Sequence, residues 1–156
     1  MNFKPKSDHY KKKVSESFDR QKFMNLINAE LIDVRPGYCE IHVPYHSSLT
    51  QQHGFFHAGI ISTIADNTAG YAAFSLMEEN SSVLTVEFKI NLIAPGDGEL
   101  LIGKSNVIKN GKTLTICSSE VFIIKDGNEK LCAVSQLTLI ELKNSTDRNK
   151  NKTIEN

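Results

Sequence analysis

The clearest periodic signal in the chain is Thr85-Val86-Glu87-Phe88-Lys89-Ile90-Asn91-Leu92, where polar and apolar residues alternate without a break. That period of two predicts a strand with one buried face. A different period precedes it. From Ala58 to Met77, the residues Ile60, Ile61, Ile64, Thr68, Ala72 and Leu76 recur at spacings of three and four. This predicts a long helix that opens at a Gly/His loop within the stretch 51–77. Ala, Gly, Ser and Thr are frequent along it, so neighbouring backbone can approach closely, and the helix is expected to be enclosed rather than laid on a surface.

The remaining elements follow from turn chemistry. Residues 7–27 open on Ser7-Asp8 and carry Val14, Phe18, Phe23, Met24 and Ile27, an irregular amphipathic pattern that fits one or two short helices. Glu30 to Arg35 and Tyr38 to Val43 flank Pro36-Gly37 and predict a first hairpin. Pro44 ends its second strand, and Tyr45 to Gln52 runs as a loop into the long helix. After a polar turn at 78–82 and the strand 85–92, the turns Pro95-Gly96-Asp97-Gly98, Asn110-Gly111 and Asp126-Gly127-Asn128 separate strands over 99–109, 113–125 and 130–142. Four sequential strands so joined predict an antiparallel meander. The expected division is an N-terminal helical region over 1–27, a domain over 28–142 and a polar tail over 143–156 whose only apolar residue is Ile154. The expected class is α+β, a curved antiparallel sheet around one long central helix. Such a sheet keeps open edges, so a homo-oligomer is expected.

Composition narrows the partners. With 156 residues, of which 40% are apolar, the chain can bury one core without metal or disulfide staples. Eighteen basic and eighteen acidic residues cancel, which leaves no global field for nucleic acid or an anionic membrane. Cys39, Cys117 and Cys132 show no Cys-x-x-Cys spacing and fall in strand-like segments, as suits packing roles in a reducing compartment. The first residues lack an apolar signal core and no apolar run reaches spanning length, so a cytoplasmic location is the expectation. His42/His46 and His53/His57 have the spacing of helical metal pairs, but Pro44 interrupts one and Gly54 places the other in a loop, so no metal is expected.

Asp66 is the one charged side chain in the helix. A carboxylate in an apolar enclosure costs several kcal/mol unless partnered, so it either anchors the helix through nearby donors or does chemistry. Donors such as Asn67 or Thr63 would lower its pKa and burial would raise it, and the sequence leaves that direction open.

His57-Ala58-Gly59 at the helix start, Asp66 nine residues after that His, Thr85-Val86-Glu87 opening a strand and the turn Pro95-Gly96 together resemble the hotdog-fold superfamily and, within it, the phenylacetate-type (PaaI-like) acyl-CoA thioesterases. The likeness spans about residues 28–142, with two departures: Ala58 replaces a usual Gly, and Gln51 stands where many relatives carry Asn. The resemblance implies hydrolysis of an acyl-CoA thioester without a cofactor. The Ala58 amide would point at the thioester carbonyl, Asp66 would be nucleophile or general base, and Gln51 and Thr85 would position the water or the carboxylate. His57 would shape the loop. An amide in the first helical turn is unpaired within the helix and lies at the positive end of its dipole, which suits a developing oxyanion.

The spacing of these residues bears on assembly. Nine residues separate His57 from Asp66, about 13.5 Å along a helix and on opposite faces. If Ala58 and Asp66 act on one carbonyl, they come from two protomers, in a homodimer or homotetramer. Two other functions are compatible with the resemblance: a hotdog hydratase acting on enoyl or hydroxyacyl thioesters, which needs an Asp/His pair in one pocket, and a non-catalytic acyl-CoA-binding protein, whose sensor form needs a DNA-binding segment, and residues 1–27 show no helix-turn-helix pattern.

Overall fold

The computed structural model describes residues 3–145. Two N-terminal helices, α1 (Tyr10–Arg20) and α2 (Lys22–Leu26), lead into the hairpin β1 (Glu30–Arg35) and β2 (Tyr38–Pro44). The central helix α3 (Ala58–Phe74) follows, and then β3 (Ser81–Leu92), β4 (Leu100–Asn110), β5 (Leu114–Lys125) and β6 (Asn128–Lys143). All ladders are antiparallel, and one six-stranded sheet in the order β1-β2-β4-β5-β6-β3 packs against α3. This is the α+β arrangement of a curved sheet around one helix that the sequence predicts. Of the tail expected over 143–156, Lys143 ends β6 and residues 146–156 lie outside the described residues.

The strand order corrects the meander. Only β4, β5 and β6 run as neighbours in sequence, whereas β3 pairs with β6 at the far edge. Pro95-Gly96-Asp97-Gly98 is therefore not a hairpin turn but part of a crossover along the end of the sheet. Its backbone bonds to each element it passes: Ile93 N and Ala94 N donate to Cys132 O at 2.9 and 3.2 Å, Glu99 N donates to Ile124 O at 2.8 Å, and Glu99 O accepts from Tyr45 N at 2.8 Å. The same segment ties down the loop before α3, since Phe56 N donates to Gly96 O at 2.9 Å. A turn sequence states that the chain reverses, but the neighbour of each strand is set by contacts distant in sequence.

The buried face expected of β3 is also corrected. In this edge strand Leu84, Val86, Phe88 and Leu92 are 45–57% exposed. Its alternation is real, with a bulge between Thr85 and Glu87, but a single chain does not cover it.

Helix α3 rests directly on β4. A Cβ at Gly103 would stand 2.5 Å from Ile64 Cγ2 and 2.7 Å from Thr68 Oγ1, so only glycine allows this approach. The Thr68 hydroxyl, fully buried, donates back to Ile64 O and is satisfied within the helix. Ile61, Ile64, Ala65, Thr68, Ala69 and Ala72 are buried on this side. Ala58 and Gly59 are exposed, and Ser62, Thr63, Asp66, Asn67 and Gly70 are half-buried. The helix is thus covered on one face and open on the other, which corrects the expected full enclosure. It also ends earlier than predicted: beyond Phe74 the chain tightens, with Leu76 N and Met77 N donating to Ala73 O and Phe74 O three residues back, at 3.0 and 3.1 Å.

The N-terminal helices close over the end of α3. Lys13 is buried, its Nζ donates to Met77 O at 2.7 Å and Glu78 O at 3.0 Å, and it lies 4.3 Å from the centre of the Phe74 ring. Burial pushes its ammonium down to about 8, against the opposing pull of Glu79 and Glu141. The Phe18 ring meets Tyr71 edge-on at 5.8 Å. The three thiols are buried, and desolvation raises Cys117 to about 12, Cys132 to about 11 and Cys39 further still, which keeps them protonated and inert.

If glycine at 103 sets the helix-to-sheet distance, Gly103→Ala must shift α3. The expected result is a lower urea midpoint corresponding to about 1–3 kcal/mol; an unchanged midpoint would show that the contact yields without loss.

Candidate active site

The helix start is built by its own capping. His57 is the N-cap residue, with extended backbone, and its Nδ1 accepts from Gly59 N at 2.9 Å. Nδ1 is therefore the unprotonated ring nitrogen, and the histidine shapes the turn. Ile60 N and Ile61 N donate to His57 O at 3.0 and 3.3 Å. With Gly59, Ile60 and Ile61 so occupied, the Ala58 N–H is the one orphan of the first turn without an acceptor among the described residues. It lies at the rim of an apolar pocket of about 470 Å³, whose lining includes Gln51, Phe56, Ile61, Leu92, Ile93 and Pro95. Gln51 is fixed beside it, its Oε1 accepting from His53 N at 2.6 Å and its backbone N donating to Phe55 O at 2.9 Å.

Asp66 lies elsewhere. It is half-buried on the open face of α3, not in an apolar enclosure, and Thr85 Oγ1 donates to its Oδ1 at 2.7 Å. Among the described residues its Oδ2 has no hydrogen-bond partner. The donors expected from within the helix are not used, since Asn67 Nδ2 turns back to Thr63 O at 3.0 Å. Thr85 is the residue just before the bulge of β3, and the hydroxyl that fixes Asp66 therefore comes from the strand at the sheet edge. Asp66 and Thr85 line a second pocket of about 330 Å³, together with Ser17, Gln21, Gly70 and Tyr71.

The five residues singled out in the sequence thus fall into two groups within one chain. Ala58, Gln51 and His57 stand at the helix start; Asp66 and Thr85 stand eight and more residues along. Eight residues of helix separate Ala58 from Asp66 by about 12 Å. The sequence reading missed Ser17, Gln21, Gly70 and Tyr71. Only Gly70 carried a signal, as a glycine in mid-helix. Two of the other histidines are engaged outside these pockets: His42 Nε2 with Glu40 Oε1 at 2.8 Å and His46 Nδ1 with Ser48 Oγ at 2.6 Å. Among the described residues no three His, Cys, Asp or Glu side chains gather as metal ligands, and no helix is long and apolar enough to cross a membrane.

A long helix packed by one face on a single curved antiparallel sheet, with an unpaired amide at its start and a hydroxyl-held carboxylate on its open face, is the arrangement of a hotdog protein. The thioesterase superfamily model matches residues 53–130, and the chain belongs to that superfamily. A thioesterase family protein from Silicibacter pomeroyi is 46% identical, with a TM-score of 0.85 over 86% of this chain and 98% of that one. The PaaI protein of the E. coli phenylacetic acid degradation operon shares the fold at 15% identity, with a TM-score of 0.78 over 90% of this chain and 98% of its own. A 1,4-dihydroxy-2-naphthoyl-CoA hydrolase from Listeria monocytogenes is 26% identical over 115 residues, 72% of this chain and 89% of that protein. These relatives support thioester hydrolysis as the general chemistry of the chain.

The capping role of His57 has a measurable consequence. His57→Ala is expected to lower stability by about 1 kcal/mol and His57→Asn to restore it, because Asn also caps. Urea melts of the three proteins check this, and equal loss in both variants would remove the capping assignment.

Proposed function

We propose that the protein hydrolyses acyl-CoA thioesters at a site completed by two copies of the chain. The observation that carries this reading is the separation of the two polar groups: an unpaired Ala58 N–H in one pocket and a Thr85-held Asp66 carboxylate in another, about 12 Å apart on one rigid helix. A thioester carbonyl carbon and its oxygen are separated by little more than 1 Å. The amide and the acid can therefore act on the same carbonyl only if α3 of a second copy brings its helix start to the Asp66 pocket. The exposed apolar residues of β3 support that pairing, since an open edge strand carrying Val86, Phe88 and Leu92 is a surface for a second chain.

In this arrangement the Ala58 N–H, aided by the positive end of the helix dipole, stabilises negative charge on the carbonyl oxygen. Asp66 supplies the carboxylate, either taking a proton from the attacking water or attacking the carbonyl carbon itself. As general base Asp66 passes the proton taken from water to the departing thiolate. As nucleophile it forms an acyl–Asp66 anhydride that water then hydrolyses. On either route the C–S bond breaks, CoA leaves as its thiol and the acyl group ends as the free acid. Thr85 holds Oδ1, so that Oδ2 is presented in a fixed direction. Gln51 lines the amide's pocket, and His57 acts only through the cap. A hydratase, which needs an Asp/His pair in one pocket, is less well supported, because within one chain His57 and Asp66 stand on opposite helix faces.

Both routes need the carboxylate, so Asp66→Asn is expected to reduce kcat by more than tenfold on an acyl-CoA panel followed with a thiol reagent, while the thermal melt is retained. Residual kcat above about a tenth of wild type, a barrier change below about 1.4 kcal/mol, would make Asp66 structural.

The shared site is checked by complementation. Asp66→Asn lacks the acid, and Ala58→Pro lacks the N–H, at a position where the first helical turn accepts proline. Each is expected to be inactive alone. Mixed with subunit exchange, they are expected to regain about a quarter of wild-type activity, since about half of random dimers are mixed and each then holds one whole site. No recovery, with both variants folded and exchange demonstrated, would reject the shared site.

A further inference from the structure

The segment that delivers the Ala58 N–H is a small hairpin of its own. His57 N donates to Leu49 O at 2.9 Å, Thr50 and Phe56 form an isolated antiparallel bridge, and Gln51 N donates to Phe55 O at 2.9 Å. The tip turns through Gly54, whose φ of 82° lies in the left-handed region, and Gly54 N donates back to Gln51 O at 2.9 Å. One arm thus carries Gln51, and the other runs directly into the His57 cap. Gln52, His53 and Gly54 at the tip are exposed. A two-stranded hairpin is marginal in water on its own, so the direction of this one is set by what holds it from outside.

It is held at Phe56 and at the tip. Phe56 N donates to Gly96 O at 2.9 Å, in the crossover. The Tyr45 ring packs edge-on against the Phe56 ring, with centroids 5.5 Å apart and planes at 82°. The Tyr45 hydroxyl also donates to Gly54 O at 3.3 Å, so one side chain joins the base of the hairpin to its tip. Tyr45 is itself fixed, its N donating to Glu99 O at 2.8 Å. Yet its side chain is no part of the core: Tyr45 is 44% exposed, whereas Phe56 is 2% exposed. Removing a half-exposed ring leaves no enclosed cavity, so its contribution to global stability is small. Tyr45 lines neither the pocket at the helix start nor that of Asp66, and it can act on a reaction there only through the hairpin.

We propose that Tyr45 is a positioning residue for the Ala58 amide, holding the hairpin so that this N–H points at the thioester carbonyl oxygen. The inference rests on the thioesterase reading above. Phe56 stands two residues before Ala58, so a tilt of the hairpin passes straight into the N-cap. An oxyanion donor acts only at hydrogen-bond range, about 2.7–3.1 Å. Its aim matters most once charge has moved onto the oxygen, which places the effect in the transition state rather than in substrate binding.

The test measures kcat and KM for the acyl-CoA thioester that the wild type cleaves fastest, in Tyr45→Ala and Tyr45→Phe, each checked by thermal melting. Tyr45→Ala is expected to lower kcat about tenfold with KM kept within about threefold and the melt nearly unchanged. Tyr45→Phe keeps the ring on Phe56 and loses only the Gly54 bond, so a loss of about threefold in kcat is expected. Complementation then assigns the loss to one half of the site. Mixed with Asp66→Asn under subunit exchange, Tyr45→Ala is expected to regain what Ala58→Pro regains, because the mixed dimer holds one site with an intact hairpin and an intact acid. Mixed with Ala58→Pro it is expected to gain nothing, because neither site then has an intact helix start. A kcat of Tyr45→Ala within about twofold of wild type, or recovery with Ala58→Pro instead of Asp66→Asn, would overturn the inference and leave the thioesterase reading intact. Should Tyr45→Ala not fold, Tyr45→Phe decides alone, and an unchanged kcat there overturns the inference. A wild-type protein that cleaves no acyl-CoA thioester would overturn both.

Discussion

The structure depends on the close seating of α3 on β4 at Gly103. Where a side chain would normally hold helix and sheet apart, there is none, and Ile64 and Thr68 fill the space. The contact fixes both the height and the rotation of the helix. Rotation decides which side chains meet the sheet and which remain on the open face. Asp66 and Gly70 lie on the open side because Ala65, Thr68, Ala69 and Ala72 are committed to the other. One missing Cβ on a strand thus determines where an acid on a helix points.

The two N-terminal helices are secured by different physics. A buried ammonium is unfavourable unless its hydration is replaced, and Lys13 replaces it with two carbonyl oxygens at the end of α3 and the face of Phe74. Those carbonyls lie in the turn that follows α3, and Glu78 O also accepts from Ser81 Oγ at 2.6 Å, so the ammonium joins a turn that is itself hydrogen-bonded. Together with the edge-on packing of Phe18 against Tyr71, it makes the position of Gln21 a consequence of the core and not of a loose arm.

Local chemistry was legible in the sequence, and long-range pairing was not. The helix start at His57-Ala58-Gly59 and the turns at Pro36-Gly37, Asn110-Gly111 and Asp126-Gly127 each specify their own backbone, and each element begins or reverses where those residues lie. The alternation over 85–92 identified a strand, but no residue in it states that its neighbour is β6. Small residues along α3 read alike whether they face a sheet or a groove, so the open face stayed hidden. Asp66 was found because it is the one charge in the helix, and the resemblance pointed to Thr85, though its direct bond to that carboxylate came only from the fold. Gln21 and Tyr71 lie fifty positions apart and carry no local signal of their contact.

The crossover between β3 and β4 is held mainly by its main chain, through Ile93 N, Ala94 N, Gly96 O and Glu99 N and O, with one side-chain ion pair from Asp97 to Lys125. Away from Gly98, where a Cβ would stand 2.2 Å from Ile124 O, main-chain anchoring is indifferent to the side chains it carries. Leu92, Ile93 and Pro95, which line the pocket at the helix start, are thus free of any duty in fastening the segment. Their size and shape are open to change under selection or by design, with the sheet end and the capped helix start left as they are. Variation in this fold can collect in the lining of this pocket, because the atoms that hold the loop are ones that every residue except proline possesses in full.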